Sequence, residues 1–242
     1  MPAIKAVLFD LDDTLWPIVP VIMRAERLLF DWIREHAPAV ANSYSIDEMR
    51  ARRVALMKSE PRYAVNLAAL RHAVLSEVFV ACGENAAAVD AAMDIFSAAR
   101  NQVEPYPDVH PVLSSLCRRV TLGSVSNGVA DLGAIGMAQY FSTSVAAHQF
   151  GSAKPDPAIF RAACDALKVA PEEAVYVGDD PLLDVEGAQK AGLRGVWLRR
   201  QDLVPARSMP QHVQPDAVCA SLHELDEWLA GHIMVAPDAS RH

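Results

Sequence analysis

The feature that most constrains the fold is an alternation of short apolar runs with helical patterns along most of the chain. Residues 4–9 form a compact apolar run rich in β-branched and aromatic side chains, which is typical of a buried strand. Similar runs recur at residues 120–125, 144–147, 174–177, 195–198 and, more weakly, 217–219. Helical patterns lie between them, at residues 109–116, 157–167, 183–191 and 222–229. This alternation predicts βαβ units and a parallel sheet, that is, a Rossmann-like α/β core.

The stretch from residue 20 to residue 101 has a different pattern, because it offers no good strand candidate. Four helical patterns occupy it, at residues 21–36, 46–58, 63–82 and 86–100. In the third, apolar residues recur with the period of an α-helix. Pro105-Tyr106-Pro107 then ends the helical region. The sequence therefore predicts an α/β core of residues 1–16 and 105–242, interrupted by a small all-helical domain of residues 17–104.

Composition and charge exclude several classes of partner. The chain of 242 residues is 52% hydrophobic and carries a net charge of −8, which argues against nucleic acid and anionic membranes. No apolar stretch approaches the roughly 20 residues that span a bilayer, and the first apolar run is too short for a signal peptide. The four cysteines lie far apart without a Cys-x-x-Cys pair, which argues against a zinc knuckle or a disulfide framework. These features predict a cytoplasmic protein.

Two carboxylates directly follow the first predicted strand, in the sequence Asp10-Leu11-Asp12-Asp13-Thr14. Ligands of open parallel sheets bind beyond the carboxyl ends of the strands. Residues two apart in an extended segment face the same side, so Asp10 and Asp12 would repel each other. At ~4 Å the repulsion is about 4 kcal/mol with an effective dielectric constant of 20. A structural role does not require such a pair, although an acidic turn that caps a helix, with Asp13 as the cap, is the alternative.

Polar residues follow the second and third core strands as well. Ser126-Asn127-Gly128 ends the second, and its side chains and backbone amides are suited to phosphate oxygens. Taken alone, such a tripeptide is more often a simple turn. Lys154 follows the third strand and precedes a predicted helix. A single lysine there is more often a solvated surface charge, but its position puts the ammonium within reach of the same edge of the sheet.

A further acidic segment follows the fourth core strand and contains Asp179, Asp180 and Asp184. The alternative is an acidic loop in which Asp184 favours the positive end of a helix dipole. Together with Asp10 and Asp12, however, this segment concentrates carboxylates around one crevice, and such a cluster needs a cation. Oxygen ligands without histidine or cysteine suit a hard ion, Mg²⁺ above others.

The four motifs occur in the order Asp-x-Asp-x-Thr, Ser-Asn-Gly, Lys-Pro and Gly-Asp-Asp-x-x-x-Asp, each after an apparent strand. This combination resembles the haloacid dehalogenase-like hydrolase superfamily, and the resemblance covers residues 1–16 and 105–230. The helical insert between the first two motifs is similar to that superfamily's mobile α-helical cap. The resemblance implies a Mg²⁺-dependent phosphatase that hydrolyses a small phosphorylated metabolite, a phosphate monoester, through an aspartyl-phosphate intermediate.

The resemblance also implies a role for each motif residue. Asp10 corresponds to the nucleophile, and Asp12 to the general acid that protonates the leaving alcohol and then activates water. Thr14 would orient the loop that carries Asp12. The remaining implied roles are phosphate binding by Ser126, Asn127 and Lys154, close backbone approach at Gly128, Mg²⁺ ligation by Asp10, Asp179 and the backbone carbonyl of Asp12, and support of the site by Asp184.

Several alternatives stay open from the sequence. Dehalogenating members of the superfamily usually lack an acid at the position of Asp12 and need no metal, so Asp12 favours phosphoryl transfer. A phosphomutase is possible on the same core, as is a phosphonate hydrolase, which would need a cap lysine such as Lys58. A binding module without activity is a further alternative. Lys58, Arg62 and Tyr63 in the insert are candidates for substrate specificity, although a solvated helix face is the simpler explanation for them. The sequence leaves monomer and homodimer open.

Overall fold

A parallel six-stranded sheet forms the core of the protein, in a computed structural model that describes residues 2–201 and 207–233. The strands lie in the order β3-β2-β1-β4-β5-β6, and every neighbouring pair is parallel. The predicted Rossmann-like α/β class is therefore confirmed. The strands are β1 (Ala6–Phe9), β2 (Thr121–Ser126), β3 (Thr143–Ala146), β4 (Ala174–Gly178), β5 (Arg194–Leu198) and β6 (Ala217–Cys219).

The sheet order makes β1 the switch point of the topology. β1 pairs with β2 on one side and with β4 on the other, with Phe9 aligned to both Ser124 and Val177. Because these strands end at the same level, the residues that follow them emerge side by side at one edge. Every residue of β1 and β4 is buried, as expected for strands covered on both faces.

Helices and turns connect the strands of this unit, which comprises Met1–Trp16, Pro105–Asn127 and Gly136–His242. Of the predicted core, Met1, 202–206 and 234–242 lie outside the described residues. The segment predicted as helical over residues 183–191 is helical throughout, but its first part has π-helical geometry in a turn that begins at a proline and is capped by Asp180. The helices are Val109–Leu116, Ala147–Phe150, Pro157–Leu167, Gly187–Ala191 and Leu222–Ala230, with the π-helical turn Pro181–Glu186 and the 3₁₀ turns Ala138–Tyr140 and Pro171–Glu173.

A second compact unit comprises Pro17–Glu104 and Gly128–Ile135. It is helical throughout its described elements and has its own apolar core. The single helix predicted over residues 63–82 is wrong, because the Asn66 side chain accepts a hydrogen bond from the backbone of Ala69 and starts a new helix. Its helices are Ile18–His36, Pro38–Ser43, Ile46–Ser59, Arg62–Val65, Leu67–Ala81, Val89–Arg100 and Leu132–Ile135, with the 3₁₀ turn Ala86–Ala88.

The interior of the helical unit also contains a buried ion-pair cluster. Glu26 is 4% exposed, and its carboxylate pairs with Arg50 at 2.5 Å, with Arg53, and with Arg71 at 3.5 Å. The guanidinium of Arg71 also lies over the ring of Phe96. One buried carboxylate thus serves three cations, of which Arg50 is half exposed and Arg53 and Arg71 are largely buried. Among the described residues, no helix combines the length and the apolarity that crossing a bilayer requires.

Candidate active site

Asp10 is the first residue beyond β1 and lies at the switch point. Its backbone N–H donates to the carbonyl of Val177 at 2.9 Å, which continues the pairing of β1 with β4 by one residue. Its side chain is buried, and Oδ1 accepts a hydrogen bond from Nζ of Lys154 at 2.6 Å. Burial raises the pKa of the Asp10 carboxyl well above its ordinary value, against the opposing attraction of the Lys154 ammonium. Any cation added at this carboxylate would favour its ionised, nucleophilic form.

The ammonium of Lys154 has three N–H groups, and each has a partner. Nζ donates to Oδ1 of Asp10 at 2.6 Å, to Oδ1 of Asp184 at 2.6 Å and to the hydroxyl of Tyr176 at 2.8 Å. Burial disfavours the charge, yet the two carboxylates hold the pKa of Lys154 well above its ordinary value. Lys154 is therefore a buried, charged link between the segments that follow β1 and β4.

Tyr176 is a site residue that the sequence reasoning missed. Its hydroxyl donates to the carbonyl of Val125 at 2.7 Å while it accepts from Lys154. Burial raises the pKa of the phenol well above its ordinary value, so it stays a neutral donor. A signal was present, because Tyr176 is the one side chain with a polar tip in the strand sequence Ala-Val-Tyr-Val-Gly. A buried tyrosine needs a hydrogen-bond partner, and here it finds two.

Three buried carboxylates define a candidate metal centre. One oxygen each from Asp10, Asp179 and Asp184 lies within 4.8 Å of the others. Thr14 Oγ1 donates to Oδ1 of Asp179 at 3.3 Å. Arg207 Nε lies 2.6 Å from Oδ2 of Asp179, but the geometry is not that of a hydrogen bond, and no described group donates one to this buried oxygen. A buried carboxylate oxygen that accepts no hydrogen bond, beside two further carboxylates, fits a hard divalent cation.

Burial also raises the pKa of Asp179 to about 7, and the nearby Asp184 adds to the effect while Arg207 opposes it. Asp184 accepts from Lys154 through Oδ1 and from the backbone N–H of Asp180 through Oδ2, the latter at 2.8 Å. The carboxylate of Asp184 lies against Gly178, where a Cβ would come within 2.3 Å of it. Only glycine at the end of β4 leaves room for this arrangement.

Asp180 has a local structural role. Its Oδ1 accepts hydrogen bonds from the backbone N–H groups of Leu182 and Leu183, both at 2.9 Å. Its Oδ2 pairs with Arg207. Asp180 thus caps the turn that carries Asp184, and this accounts for an acidic residue at a position that the sequence left ambiguous.

The side chain of Asp12 is directed differently from that of Asp10. Its Oδ1 accepts a hydrogen bond from the indole Nε1 of Trp16 at 2.8 Å. The carboxylate of Asp12 is not a member of the group formed by Asp10, Asp179 and Asp184. The two carboxylates of the first motif therefore have different partners, an ammonium for Asp10 and an indole for Asp12.

The remaining candidates in the core unit are Ser126 and Asn127. Ser126 is the last residue of β2 and is buried. The amide of Asn127 is bonded at both ends to the backbone of Lys154: Nδ2 donates to the lysine carbonyl at 3.0 Å, and the lysine N–H donates to Oδ1 at 2.8 Å. Asn127 thus joins the end of β2 to the segment that carries Lys154.

The candidates outside the core unit are the specificity residues and Gly128, all of which the structure places in the helical unit. Lys58 is exposed. Arg62 is exposed, pairs with Glu60 at 2.6 Å and lies over the ring of Tyr63. Gly128 begins the segment Gly128–Ile135 of that unit.

Known proteins are similar to this chain in sequence and fold over most of their length. The sequence model of a haloacid dehalogenase-like hydrolase family matches residues 4–192. The chain is 30% identical to 5-amino-6-(5-phospho-D-ribitylamino)uracil phosphatase YigB of Escherichia coli, over 82% of this chain and 85% of that protein. It is 33% identical to phosphoserine phosphatase of Thermus thermophilus, over 81% of this chain and 89% of that protein.

A solved structure titled 2-haloacid dehalogenase, from Pseudomonas syringae pv. Tomato DC3000, superposes with a TM-score of 0.86. It is 37% identical in sequence and covers 94% of this chain and 99% of that one. The chain belongs to the haloacid dehalogenase-like hydrolase family. The family predicted from the four motifs is confirmed, and the protein is an enzyme of the hydrolase class.

Proposed function

We propose that this protein is a Mg²⁺-dependent phosphatase that hydrolyses a small-molecule phosphate monoester through an aspartyl phosphate on Asp10. The observation that carries the proposal is the buried cluster of Asp10, Lys154, Asp179 and Asp184, with the carboxylate of Asp12 two residues beyond Asp10. Both curated relatives named above are phosphatases, and phosphoric monoester hydrolysis is the class of reaction that they share.

The cation fits the carboxylates of the core unit. Asp10, Asp179 and Asp184 would hold it, together with the backbone carbonyl of Asp12 that the family resemblance implies. Bound Mg²⁺ would neutralise part of the carboxylate charge and that of the phosphoryl oxygens. Lys154 alone cannot do so, because its three N–H groups already serve Asp10, Asp184 and Tyr176. Because its hydrogen bonds are used in this way, the main role of Lys154 is to hold Asp10 in place.

In the first half-reaction, a carboxylate oxygen of Asp10 attacks phosphorus and forms the aspartyl phosphate. The bond from phosphorus to the leaving oxygen breaks, and Asp12 gives its proton to that oxygen so that a neutral alcohol leaves. In the second half-reaction, Asp12 takes a proton from a water molecule that attacks phosphorus. The bond from phosphorus to Asp10 then breaks, which releases inorganic phosphate and restores the free carboxylate of Asp10, and Asp12 is again protonated.

We propose Ser126, Asn127 and the backbone at Gly128 for the phosphate oxygens, with Asn127 acting also through its bonds to the Lys154 backbone. Lys58, Arg62 and Tyr63 remain proposals for substrate specificity. The substrate would be a small phosphorylated metabolite in the cytoplasm, handled by a monomer or a homodimer.

Dehalogenation is the competing function, because a structure titled 2-haloacid dehalogenase is 37% identical to this chain. The side chain that discriminates is Asp12. In phosphate ester cleavage, an acid at this position protonates the alkoxide that leaves. In dehalogenation, the halide leaves without needing a proton. The carboxylate cluster also favours phosphate ester cleavage. In a dehalogenation, a carboxylate attacks carbon and halide leaves, so there is no phosphoryl charge for a bound cation to neutralise.

The test measures hydrolysis of p-nitrophenyl phosphate with Mg²⁺ and with EDTA, and chloride release from 2-chloropropionate, by the wild type and by Asp10→Asn. We expect phosphatase activity that disappears with EDTA and in Asp10→Asn, and no chloride release. Asp165→Asn, at an exposed position on the helix Pro157–Leu167, is the matched control and should keep full activity. Chloride release that is insensitive to EDTA would overturn the proposal in favour of the dehalogenase.

A further inference from the structure

Trp16 makes a contact that the proposed reaction has not used. It is fully buried, at 0% exposure, and lies four residues beyond Asp12 in the same unit. Its indole Nε1 donates to Oδ1 of Asp12 at 2.8 Å. A buried indole N–H needs an acceptor, and backbone carbonyls are the common solution. Here the acceptor is instead the carboxylate proposed as the acid and base.

The local backbone brings the two residues together. Asp13 has a φ of 63°, in the left-handed region, and its N–H donates to the carbonyl of Trp16 at 2.7 Å. The carbonyl of Leu11 accepts from the N–H groups of Thr14 and Leu15, at 3.3 and 2.8 Å. Residues 11–16 therefore form a closed turn that returns Trp16 to the side of Asp12.

The turn is also held from outside. Nε and one terminal nitrogen of Arg200 both donate to the carbonyl of Thr14, at 3.1 and 3.0 Å, and Arg200 pairs with Asp108 at 2.7 Å. Arg200 is itself buried. The backbone of the turn is therefore held by the fold of the core unit, and the fully buried indole of Trp16 packs inside the same unit.

The donor chemistry of the indole restricts the chemistry of Asp12. An indole N–H can only donate, so Oδ1 must act as an acceptor whether the carboxyl group is ionised or protonated. The carbonyl oxygen of a protonated carboxyl group is a better acceptor than its hydroxyl oxygen, so the indole N–H favours the form that carries the proton on Oδ2. A carboxyl group without this partner would distribute its proton between two oxygens and several rotamers.

We propose that Trp16 is a positioning residue for acid–base catalysis: its indole N–H holds Oδ1 of Asp12, so that Oδ2 carries the proton given to the leaving group and later taken from water. The inference rests on the proposed phosphatase function. It assigns to Trp16 a role that acts through Asp12 and is separate from the packing of its ring.

The test separates the N–H from the ring with Trp16→Phe, which keeps a buried aromatic side chain and removes the donor. Acid assistance matters most for a poor leaving group, so phenyl phosphate and p-nitrophenyl phosphate are compared in single turnovers. We expect phosphoenzyme formation from phenyl phosphate to slow by roughly 10-fold, which is a part of the ~10²–10⁴-fold that acid–base catalysis supplies. Phosphoenzyme formation from p-nitrophenyl phosphate should change by less than about twofold, because its leaving group needs little protonation. Hydrolysis of the phosphoenzyme should slow by roughly 10-fold as well.

A double-mutant cycle identifies the residue through which Trp16 acts. In an Asp12→Asn background, Trp16→Phe should have no further effect on either step, because the group that it positions can no longer transfer a proton. Trp228→Phe is the matched control, since Trp228 is a half-buried tryptophan stacked on His232, and it should leave both substrates unaffected. Equal slowing of phosphoenzyme formation from both substrates by Trp16→Phe, or losses that add to those of Asp12→Asn, would overturn the inference and leave Trp16 a packing residue.

A spectroscopic measurement distinguishes failure of the inference from failure of the proposed function. In ¹H–¹⁵N spectra, the indole resonance of Trp16 should move when Asp12 is replaced by asparagine, and that of Trp228 should not. If the Trp16 resonance does not shift in Asp12→Asn, the hydrogen bond between Trp16 and Asp12 is contradicted, whatever the activity of the variant. Loss of the proposed function would instead appear as a wild type that hydrolyses neither ester.

Discussion

Asn127 and Lys154 are joined by two reciprocal hydrogen bonds, from Nδ2 of the asparagine to the lysine carbonyl at 3.0 Å and from the lysine N–H to Oδ1 at 2.8 Å. The pair connects the end of β2 with the segment before the helix Pro157–Leu167. Since Nζ of the same lysine holds Asp10, the orientation of the candidate nucleophile depends on an amide at the end of another strand.

Asn127→Ala should weaken both the fold and the activity. Removing the amide leaves two backbone groups of the buried Lys154 without these partners, which costs about 1–3 kcal/mol of unfolding free energy. We expect kcat to fall, because the backbone of Lys154 is no longer held by the side chain of residue 127, and Lys154 positions Asp10. Chemical denaturation and steady-state kinetics measure the two effects. Asn85→Ala, which removes a comparable backbone hydrogen bond in the helical unit, should lower stability but leave kcat unchanged.

The stability of the metal-free protein should fall as the pH rises from about 4 through about 7. Burial raises the pKa of Asp179 to about 7, whereas the unfolded chain has an ordinary value of about 3.9. The folded state therefore holds a proton more tightly, and the stability that this proton contributes is lost as the pH passes the folded pKa. Thermal unfolding in EDTA between pH 4 and pH 8 measures the slope.

Mg²⁺ should reverse part of that loss, because it competes with the proton for the same carboxylates. The rise in Tm on adding Mg²⁺ should be larger at pH 8 than at pH 5. Asp179→Asn should reduce the pH dependence in EDTA, with the part due to Asp10 remaining, and abolish the effect of Mg²⁺ on Tm. An increase in Tm that is equal at both pH values would contradict metal binding at these carboxylates.

Gly178→Ala should disrupt the carboxylate cluster. A Cβ at this position would lie 2.3 Å from the carboxyl group of Asp184, so that side chain must move away from Lys154. We expect a loss of about 1–3 kcal/mol of stability from overpacking and a weaker affinity for Mg²⁺, measured by calorimetry. Gly231→Ala is the matched control, because the nearest atom to its Cβ is 3.8 Å away. Unchanged metal affinity in Gly178→Ala would contradict the placement of Asp184 at the metal.

Glu26→Gln should destabilise the helical unit strongly. The change leaves Arg53 and Arg71 buried with no described carboxylate partner, and breaking a buried ion pair typically costs about 3–5 kcal/mol. Burial has already lowered the pKa of Arg71 to about 9, and Glu26 opposes that shift. Glu77→Gln, which removes a largely exposed pair with Arg52, should cost less than about 1 kcal/mol in the same denaturation assay. Equal losses of unfolding free energy in the two variants would show that the buried ion pairs of Glu26 stabilise the unit no more than an exposed pair does.

The sequence by itself determined the fold class, the family and which segments carry the chemistry. The periods of helices and strands are local properties, and the carboxyl ends of parallel strands must share an edge of the sheet. The positions of Asp10, Lys154 and Asp179 at one edge therefore followed from counting strands. Local patterning was less informative where a side chain redirects the backbone, as Asn66 and Asp180 do.

Only the tertiary structure decided which side chains meet within that edge. Lys154 and Asp10 are 144 residues apart, and their contact depends on strand register and on the rotamers of a closely packed interior. The same packing brought Tyr176 to Lys154, Asp184 to Asp179, and the indole of Trp16 to Asp12. A sequence pattern specifies the face and the end of an element on which a residue lies. Distances of 2.6 to 2.8 Å between polar atoms are settled only when neighbouring strands and turns are packed together.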